Sequence, residues 1–348
     1  MGKEKKVKVG IIGLGKMGIL HTALVNMIPR AELVALSDIN KQLSKYVKES
    51  GLKVPFFSDS NHMLNEVELN AVYICIPPFA NLSIVRQCVE YNLDMFVEKP
   101  LAESFESAKK MVEFVSKKEI IHSIGYLFAH IPLFRKAKNL LEKKIIGNIF
   151  RFRSSIYISE VFTRKKGWYY DKTKSGGGAV INIASHLLYL LYWYFGSVKS
   201  VFSLTKKVYS EVEDTASAFL EFTNGIIGTL DVSWSVPGYR LSYIEIIIEG
   251  KNGILELTND YIKLYLFKPV KGFNKEWNTI HKIDLPGSSQ FELGGEGCYE
   301  EDLNFIECCV ERKAPDVTWI DGLEIQKIIE AIYRSADSKK IVQIGEID

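Results

Sequence analysis

The sequence has 348 residues, which is long for one hydrophobic core and predicts two domains. Its charges nearly cancel, with a formal net charge of +2, which argues against a nucleic-acid partner because such a protein needs a basic face. The five cysteines are an odd number without a Cys-x-x-Cys pair, so we expect neither a disulfide framework nor a metal site.

Apolar runs alternate with amphipathic segments through the first 124 residues. We predict strands at 7–12, 32–37, 54–57, 71–76, 95–97 and 120–124, and helices at 17–28, 40–49, 81–91 and 104–117. Strands that alternate with helices indicate a parallel sheet with right-handed crossovers. We therefore predict an α/β domain over 1–124.

The pattern changes after residue 125, where strand-like segments follow one another with turns such as Asn224-Gly225 and Asn252-Gly253. We predict strands at 149–159, 198–208, 216–222, 225–234, 243–249, 253–258 and 261–267, and helices at 301–312 and 322–337. Tight turns between consecutive strands indicate a large, mostly antiparallel sheet. We predict an α+β domain over 125–348, with helices on one face of the sheet and the other face open.

No membrane segment is expected. The N-terminus lacks the apolar stretch and cleavage site of a signal peptide. The longest apolar stretch, at 179–195, contains Asn182, Ser185 and His186 and is short for a membrane span. We therefore expect a cytoplasmic protein without a membrane partner.

A glycine-rich turn directly follows the first predicted strand. Gly13, Gly15 and Gly18 form a Gly-x-Gly-x-x-Gly motif that opens a helix, and Lys16 and Met17 lie within it. Such a turn directs backbone N–H groups at the helix N-terminus towards a pyrophosphate. The strand before it and the helix after it favour a Rossmann dinucleotide-binding domain over a chance run of glycines.

Asp38 follows the second predicted strand, 20 positions after Gly18. An acidic residue there can hold the ribose hydroxyls of the dinucleotide and would repel a 2′-phosphate, so NAD is favoured over NADP. Two alternatives stay open: Asp38 can cap the helix that begins near Asn40, and Lys41 is close enough in sequence to contact a phosphate.

Four further residues follow the later predicted strands of the first domain, where the ligand crevice of such a sheet lies: Pro77, Asn81, Glu98 and Lys99. Asn81 can line the crevice or cap its helix. Lys99 lies between Glu98, which could orient it, and Pro100, which fixes the backbone. Lys99 can stabilise a developing alkoxide, although an isolated lysine after a strand is by default a surface residue.

A set of four polar residues follows the glycine triplet at 176–178. Asn182, Ser185, His186 and Tyr189 recur at helical spacing in an otherwise apolar segment, which would place them on one face. A single histidine on such a helix is usually a core residue, but four polar groups in register favour a site. The triplet either admits a ligand close to the backbone or gives a flexible entry to the helix.

With these motifs the chain resembles the Gfo/Idh/MocA family of oxidoreductases, which includes glucose–fructose oxidoreductase and inositol dehydrogenases. The resemblance covers almost the whole chain and depends most on Glu98-Lys99-Pro100 and on the glycine triplet with His186 beyond it. It implies that Lys99 and His186 are the catalytic pair, and that dimers or tetramers form through the C-terminal sheet. Many members carry Asp where this chain has Asn182, which can still hydrogen-bond a substrate hydroxyl or orient His186.

We therefore predict an NAD-dependent dehydrogenase that oxidises a secondary hydroxyl of a sugar, polyol or sugar nucleotide, or reduces the matching ketone. In this hypothesis His186 is the general base and Lys99 holds the substrate oxygen. Two alternatives are an oxidoreductase whose tightly bound NAD(P) is recycled between two sugars, and a non-catalytic dinucleotide-binding regulator.

Overall fold

The computed structural model describes residues 6–286 and 297–347. The chain divides into two compact units: the first comprises the described residues of 1–127 and 291–323, and the second those of 128–290 and 324–348. The predicted domains, 1–124 and 125–348, differ from this division because a C-terminal segment returns to the first unit. Its helix contributes Phe305, Ile306 and Cys309 to the core around the first strand.

The first unit contains a six-stranded parallel sheet. Its strands are β1 (Val7–Ile12), β2 (Ala31–Ser37), β3 (Phe56–Phe57), β4 (Ala71–Ile74), β5 (Asp94–Val97) and β6 (His122–Ile124). Their spatial order, β3-β2-β1-β4-β5-β6, is that of dinucleotide-binding domains. Every residue of β4 and β5 is buried, as expected for parallel strands with both faces covered. The predicted Rossmann domain is confirmed.

The helices of the first unit are α1 (Lys16–Val25), α2 (Leu43–Glu49), α3 (Ser60–Glu66), α4 (Asn81–Glu90), α5 (Phe105–Val115) and α9 (Cys298–Glu311). The sequence analysis did not predict α3. This helix begins after Asp59, whose side chain accepts a hydrogen bond from the Asn61 N–H. The helix predicted from residue 40 begins later, at Leu43.

The second unit contains a nine-stranded sheet in the order β14-β13-β12-β11-β7-β10-β9-β8-β15. The strands are β7 (Ile149–Tyr157), β8 (Val198–Lys206), β9 (Thr215–Phe222), β10 (Ile227–Ser233), β11 (Tyr243–Gly250), β12 (Gly253–Thr258), β13 (Tyr261–Leu266), β14 (Glu276–His281) and β15 (Val342–Gln343). The pair β7–β10 is parallel and the other pairs are antiparallel. The predicted large, mostly antiparallel sheet is therefore confirmed.

The second unit's helices are α6 (Pro132–Glu142), α7 (Lys172–Ser175), α8 (Ser185–Phe195) and the part of α10 (Trp319–Ser338) beyond residue 323. Burial alternates strictly along β11, so one face of the sheet is covered and the other is not. On the covered face, the ring of Phe152 packs against those of Phe195 and Phe222. The sheet is therefore open on one side.

The segment Lys172–Phe195 is long and apolar enough to cross a membrane by length and composition alone. However, 83% of its most apolar window is buried inside the protein. That degree of burial is typical of a core helix.

Candidate functional site

The glycine turn of the first unit joins β1 to α1, as predicted. Gly13 has a φ of +91°, and a Cβ at this position would lie 2.5 Å from the Cys75 carbonyl oxygen. A Cβ at Gly18 would lie 1.8 Å from the Gly13 carbonyl oxygen. Apart from the chain next to Gly15 itself, no atom of the described residues lies within 4 Å of the Cβ position at Gly15. The fold itself therefore requires Gly13 and Gly18, whereas Gly15 leaves open space at the N-terminus of α1.

Asp38 connects the end of β2 to this turn. Its Oδ2 accepts a hydrogen bond from the Leu14 N–H at 2.7 Å, and its Oδ1 accepts one from the Asn40 N–H at 2.7 Å. Because α2 begins only at Leu43, Asp38 does not cap that helix. Each carboxylate oxygen has a further lone pair that could accept a hydrogen bond from a ribose hydroxyl.

The segments after β4 and β5 hold the other predicted residues of the first unit. Pro77 precedes a short 3₁₀ turn, and Asn81 is the first residue of α4. The Asn81 side chain does not cap the helix, because its Nδ2 donates to the Leu101 carbonyl oxygen at 2.9 Å. Asn81 is buried and therefore stabilises the segment that follows Pro100.

Glu98 and Lys99 lie directly after β5, and the Lys99–Pro100 peptide is cis. The Glu98 N–H donates to the Ile74 carbonyl oxygen at 3.0 Å, which continues the pairing with β4. Glu98 Oε2 accepts a hydrogen bond from the Lys99 N–H at 3.0 Å. The Lys99 backbone is therefore fixed at the same sheet edge as the glycine turn and Asp38, since the strands are parallel.

Beneath this edge, His21 of α1 connects two acidic side chains. Its Nδ1 lies 2.9 Å from Asp302 Oδ1, and its Nε2 lies 2.9 Å from Glu98 Oε1. The side chains of His21 and Asp302 are fully buried. The network links α1, the end of β5 and α9.

In the second unit, Asn182 lies in a π-helical turn, Val180–Ala184, that precedes α8. This wider turn interrupts the regular helical spacing from which we predicted a single polar face, because a π turn has more residues than an α turn. The Asn182 Nδ2 donates to the Gly178 carbonyl oxygen at 3.0 Å. His186 lies on the first turn of α8, half-buried, with its ring centroid 4.9 Å from that of Phe128.

The glycine triplet is explained by packing inside the second unit. A Cβ at Gly177 would lie 1.9 Å from the Tyr333 hydroxyl oxygen, and one at Gly178 would lie 2.0 Å from the Glu213 carbonyl oxygen. Glu213 Oε1 accepts hydrogen bonds from the Gly178 and Val180 N–H groups and from the Tyr333 hydroxyl. The buried Glu213 carboxyl therefore holds the start of the helical segment that carries Asn182 and His186.

Comparison with known proteins agrees with this architecture. Residues 7–126 match a family model described as "Oxidoreductase family, NAD-binding Rossmann fold". Residues 134–256 match the "GFO/IDH/MocA C-terminal domain". The chain belongs to the GFO/IDH/MocA oxidoreductase family. The resemblance found from the sequence is thus confirmed, as are the expected NAD-binding domain and oxidoreductase class.

Two curated relatives of this GFO/IDH/MocA protein are inositol dehydrogenases. The scyllo-inositol 2-dehydrogenase (NAD(+)) of Bacillus subtilis is 26% identical, with 92% of this chain and 91% of the relative covered. The myo-inositol 2-dehydrogenase of Thermotoga maritima is 25% identical, with 98% and 99% covered. A solved structure of levoglucosan dehydrogenase with NADH and levoglucosan has a TM-score of 0.87 at 22% identity, covering 98% of this chain and 100% of that one. This last similarity supports the fold.

The predicted residues fall into two groups, one in each unit. The glycine turn, Asp38, Glu98 and Lys99 share one sheet edge of the first unit, whereas Asn182 and His186 share one helical segment of the second. Sequence reasoning missed His21 and its partner Asp302, which are 281 positions apart. It also missed Glu213, which lies in a loop before β9 and carries no motif. The only available signal was that His21 lies one helical turn after Gly18.

Proposed function

We propose that this protein is an NAD-dependent dehydrogenase that oxidises a secondary hydroxyl of a sugar, polyol or sugar nucleotide, or reduces the matching ketone. The observation that carries the proposal is the position of Lys99, held through Glu98 at the sheet edge that also presents the glycine turn and Asp38. The inositol dehydrogenases among the relatives support the substrate class.

The residues of the first unit fit a dinucleotide. The open space at Gly15 admits a pyrophosphate next to the backbone N–H groups that begin α1, including those of Lys16 and Met17. The Asp38 carboxylate favours ribose hydroxyls over a 2′-phosphate, and hence NAD over NADP. When bound, NAD supplies the acceptor for the hydride.

Lys99 and His186 then assist the proton transfer. As the carbinol C–H bond breaks and its hydrogen leaves with the electron pair, the hydroxyl proton passes to the His186 imidazole and the C=O bond forms. The Lys99 ammonium donates a hydrogen bond to the substrate oxygen and stabilises its developing negative charge. Asn182 holds the π-helical turn before His186 through its hydrogen bond to Gly178.

The assignment predicts that Lys99→Ala and His186→Ala each lower kcat by about 10²–10⁴-fold. NAD affinity, measured by fluorescence titration, should stay near that of the unaltered protein. Lys48→Ala and His62→Ala are matched controls, because both residues are exposed on helices of the first unit. Activity is assayed on a panel of inositols, aldoses and UDP-sugars.

The outcomes separate the alternatives. Unchanged turnover in both variants would contradict the catalytic assignment. NAD binding without turnover of any substrate in the panel would favour the non-catalytic regulator. NAD(H) that stays bound through purification and is reduced and reoxidised by two sugars in turn would favour the recycling enzyme.

We also propose that the protein forms a homodimer or homotetramer through the open face of the second unit's sheet. Phe219 of β9 and Ile227 of β10 are exposed there by 64% and 54%. Trp277 of β14 and Tyr265 of β13 form a further aromatic pair, with ring centroids 5.3 Å apart. Exposed apolar side chains on a regular sheet face favour contact with a second copy.

A further inference from the structure

Four ionisable side chains meet in the buried part of the first unit: His21 of α1, Glu98 after β5, and Glu301 and Asp302 of α9. The His21 Nδ1 lies 2.9 and 3.0 Å from the two Asp302 carboxylate oxygens, and its Nε2 lies 2.9 Å from Glu98 Oε1. The imidazole ring also packs against Tyr73 and Phe96, with ring centroids 5.3 and 5.0 Å away. The ring is therefore held at both nitrogen atoms and beside its faces.

The charge state of the cluster follows from its surroundings. Burial lowers the pKa of His21, but the charges and hydrogen bonds of Asp302 and Glu98 outweigh this effect and raise that pKa well above its usual value. Burial and the Glu98 charge raise the pKa of Glu301 well above its usual value. These shifts favour the imidazolium form of His21, which can donate through both N–H groups, and the protonated form of Glu301.

The same atoms have a spacing that a metal ion could use. Ligand atoms of His21, Glu98 and Glu301 lie within 4.8 Å of one another. An imidazolium that donates through both nitrogen atoms has no lone pair for a metal. The two short hydrogen bonds of His21 to carboxylates therefore favour a charged clamp over a metal site.

Glu98 transmits the position of His21 to Lys99. One Glu98 oxygen accepts from His21, and the other accepts from the Lys99 N–H at 3.0 Å. A Cβ at Gly125 would lie 3.3 Å from Glu98 Oε2, so glycine at this position leaves the carboxylate the room it occupies. The Glu98 side chain is thus confined between His21, the Lys99 backbone and Gly125.

We propose that His21 is a positioning residue for the dehydrogenase reaction: clamped between Asp302 and Glu98, it fixes the Glu98 carboxylate against the Lys99 backbone and so aims the Lys99 side chain. This inference rests on the proposed function, because it gives Lys99 its role at the substrate oxygen. His21 is on the helix that begins at the glycine turn, so the clamp also joins the cofactor-binding helix to the Lys99 segment.

A double-mutant cycle tests this role. His21→Gln removes the charge and one of the two opposed donors, and a small displacement of Lys99 should lower kcat by about 10–100-fold. Affinity for NADH, measured by fluorescence titration, should be unchanged. In a Lys99→Ala background, His21→Gln should cause no further loss, because residues that act through one another are not additive.

One control variant and one further variant distinguish a positioning role of His21 from a loss of protein stability. Arg312→Gln removes the ion pair of Arg312 with Asp94, which joins α9 to the opposite end of β5, and it should leave kcat unchanged. Gly125→Ala crowds the Glu98 carboxylate without altering any charge and should lower kcat several-fold in a folded protein. It replaces His21→Gln in the cycle if that variant does not fold.

Three results would overturn the inference. The first is a further, additive loss on His21→Gln in the Lys99→Ala background while Lys99→Ala alone lowers kcat by about 10²–10⁴-fold, which leaves the proposed function intact. The second is a neutral His21 ring at neutral pH in ¹⁵N NMR spectra of the histidines. The third is activity that a chelator removes and a divalent cation restores. Full turnover by Lys99→Ala would instead overturn the proposed function, and this inference with it.

Discussion

The three glycines of the cofactor turn are required for different physical reasons. Gly13 and Gly18 have no room for a side chain within the protein, whereas in the described part of the chain only the residues adjoining Gly15 lie within 4 Å of its Cβ position. A methyl group at Gly15 would therefore occupy only the space that a pyrophosphate would need. Gly13 and Gly18 are therefore required for folding, whereas we expect Gly15 to be required for binding the cofactor.

We expect Gly15→Ala to leave the melting temperature nearly unchanged and to weaken NAD binding at least tenfold, a cost of about 1.4 kcal/mol. Gly18→Ala places its methyl 1.8 Å from the Gly13 carbonyl oxygen, so it should lower the melting temperature strongly. Thermal unfolding and NAD titration of both variants measure the two effects. Normal NAD affinity in a folded Gly15→Ala variant would contradict the pyrophosphate assignment.

Among single residues, the sequence identifies site residues that belong to a motif with fixed spacing. Gly13, Gly15 and Gly18 and the acidic residue after the second strand have fixed spacings, and the structure places them together at one sheet edge. His21 and Asp302 have no such spacing, because their contact joins α1 to a helix 281 positions later. Only the folded chain shows a contact of that range.

At the scale of elements, prediction succeeded where hydrophobic periodicity is strong. The strands β1, β2, β9 and β11 were predicted nearly as observed. Helix α6 was missed although Pro132 stands at its first position, and β14 was missed because it is mostly exposed. The π-helical turn before α8 could not be predicted, because it depends on packing against Glu213 and on the hydrogen bond of Asn182 to Gly178.

The start of this helical segment should depend on the Glu213 carboxyl. Glu213→Ala leaves the N–H groups of Gly178 and Val180 and the hydroxyl of Tyr333 without their acceptor, at a cost of about 1–3 kcal/mol for each unpaired group. Glu213→Gln keeps a carbonyl oxygen at the same place and should cost much less. Denaturant unfolding of both variants checks this order, and equal losses would contradict it.

The Glu213 carboxyl should also make the stability of the protein depend on pH, in a direction that its pKa shift determines. Burial raises the pKa of Glu213 above its usual 4.5, although its hydrogen bonds to Tyr333, Val180 and Gly178 oppose this effect. The folded state therefore holds this proton at a pH where the unfolded state has lost it, and stability falls as pH rises through that window. Relative to Glu213→Gln, the unaltered protein should gain stability as pH falls from neutral to about 4.5.

At the scale of the molecule, the sequence predicts the class of each unit but not which distant segment completes it. The chain returns α9 to the first unit, where Phe305 and Ile306 fill the core, although this helix follows all the long strands of the second unit. The sequence pattern of α9 predicts an amphipathic helix but does not indicate which sheet its apolar face packs against. The open face of the nine-stranded sheet is predictable from short strands joined by tight turns, and the alternating burial along β11 agrees with it.

The proposed assembly through that open face can be tested by placing charged side chains on it. Phe219 and Ile227 lie on adjacent antiparallel strands and point to the same side, since Ile227 is opposite Glu221 and Glu221 is two residues from Phe219. The double variant Phe219→Asp, Ile227→Asp places two carboxylates in the contact, and their desolvation and mutual repulsion should dissociate the assembly.

Size-exclusion chromatography with light scattering should show a dimer or tetramer for the unaltered protein and a monomer for the double variant. Tyr46→Asp is the matched control, because Tyr46 is 65% exposed on α2 of the first unit and should not affect the assembly. A monomeric unaltered protein at micromolar concentration, or a double variant that keeps the original mass, would exclude this face as the interface. If the dissociated variant keeps its NAD affinity and loses turnover, the assembly is needed for the reaction and not for binding the cofactor.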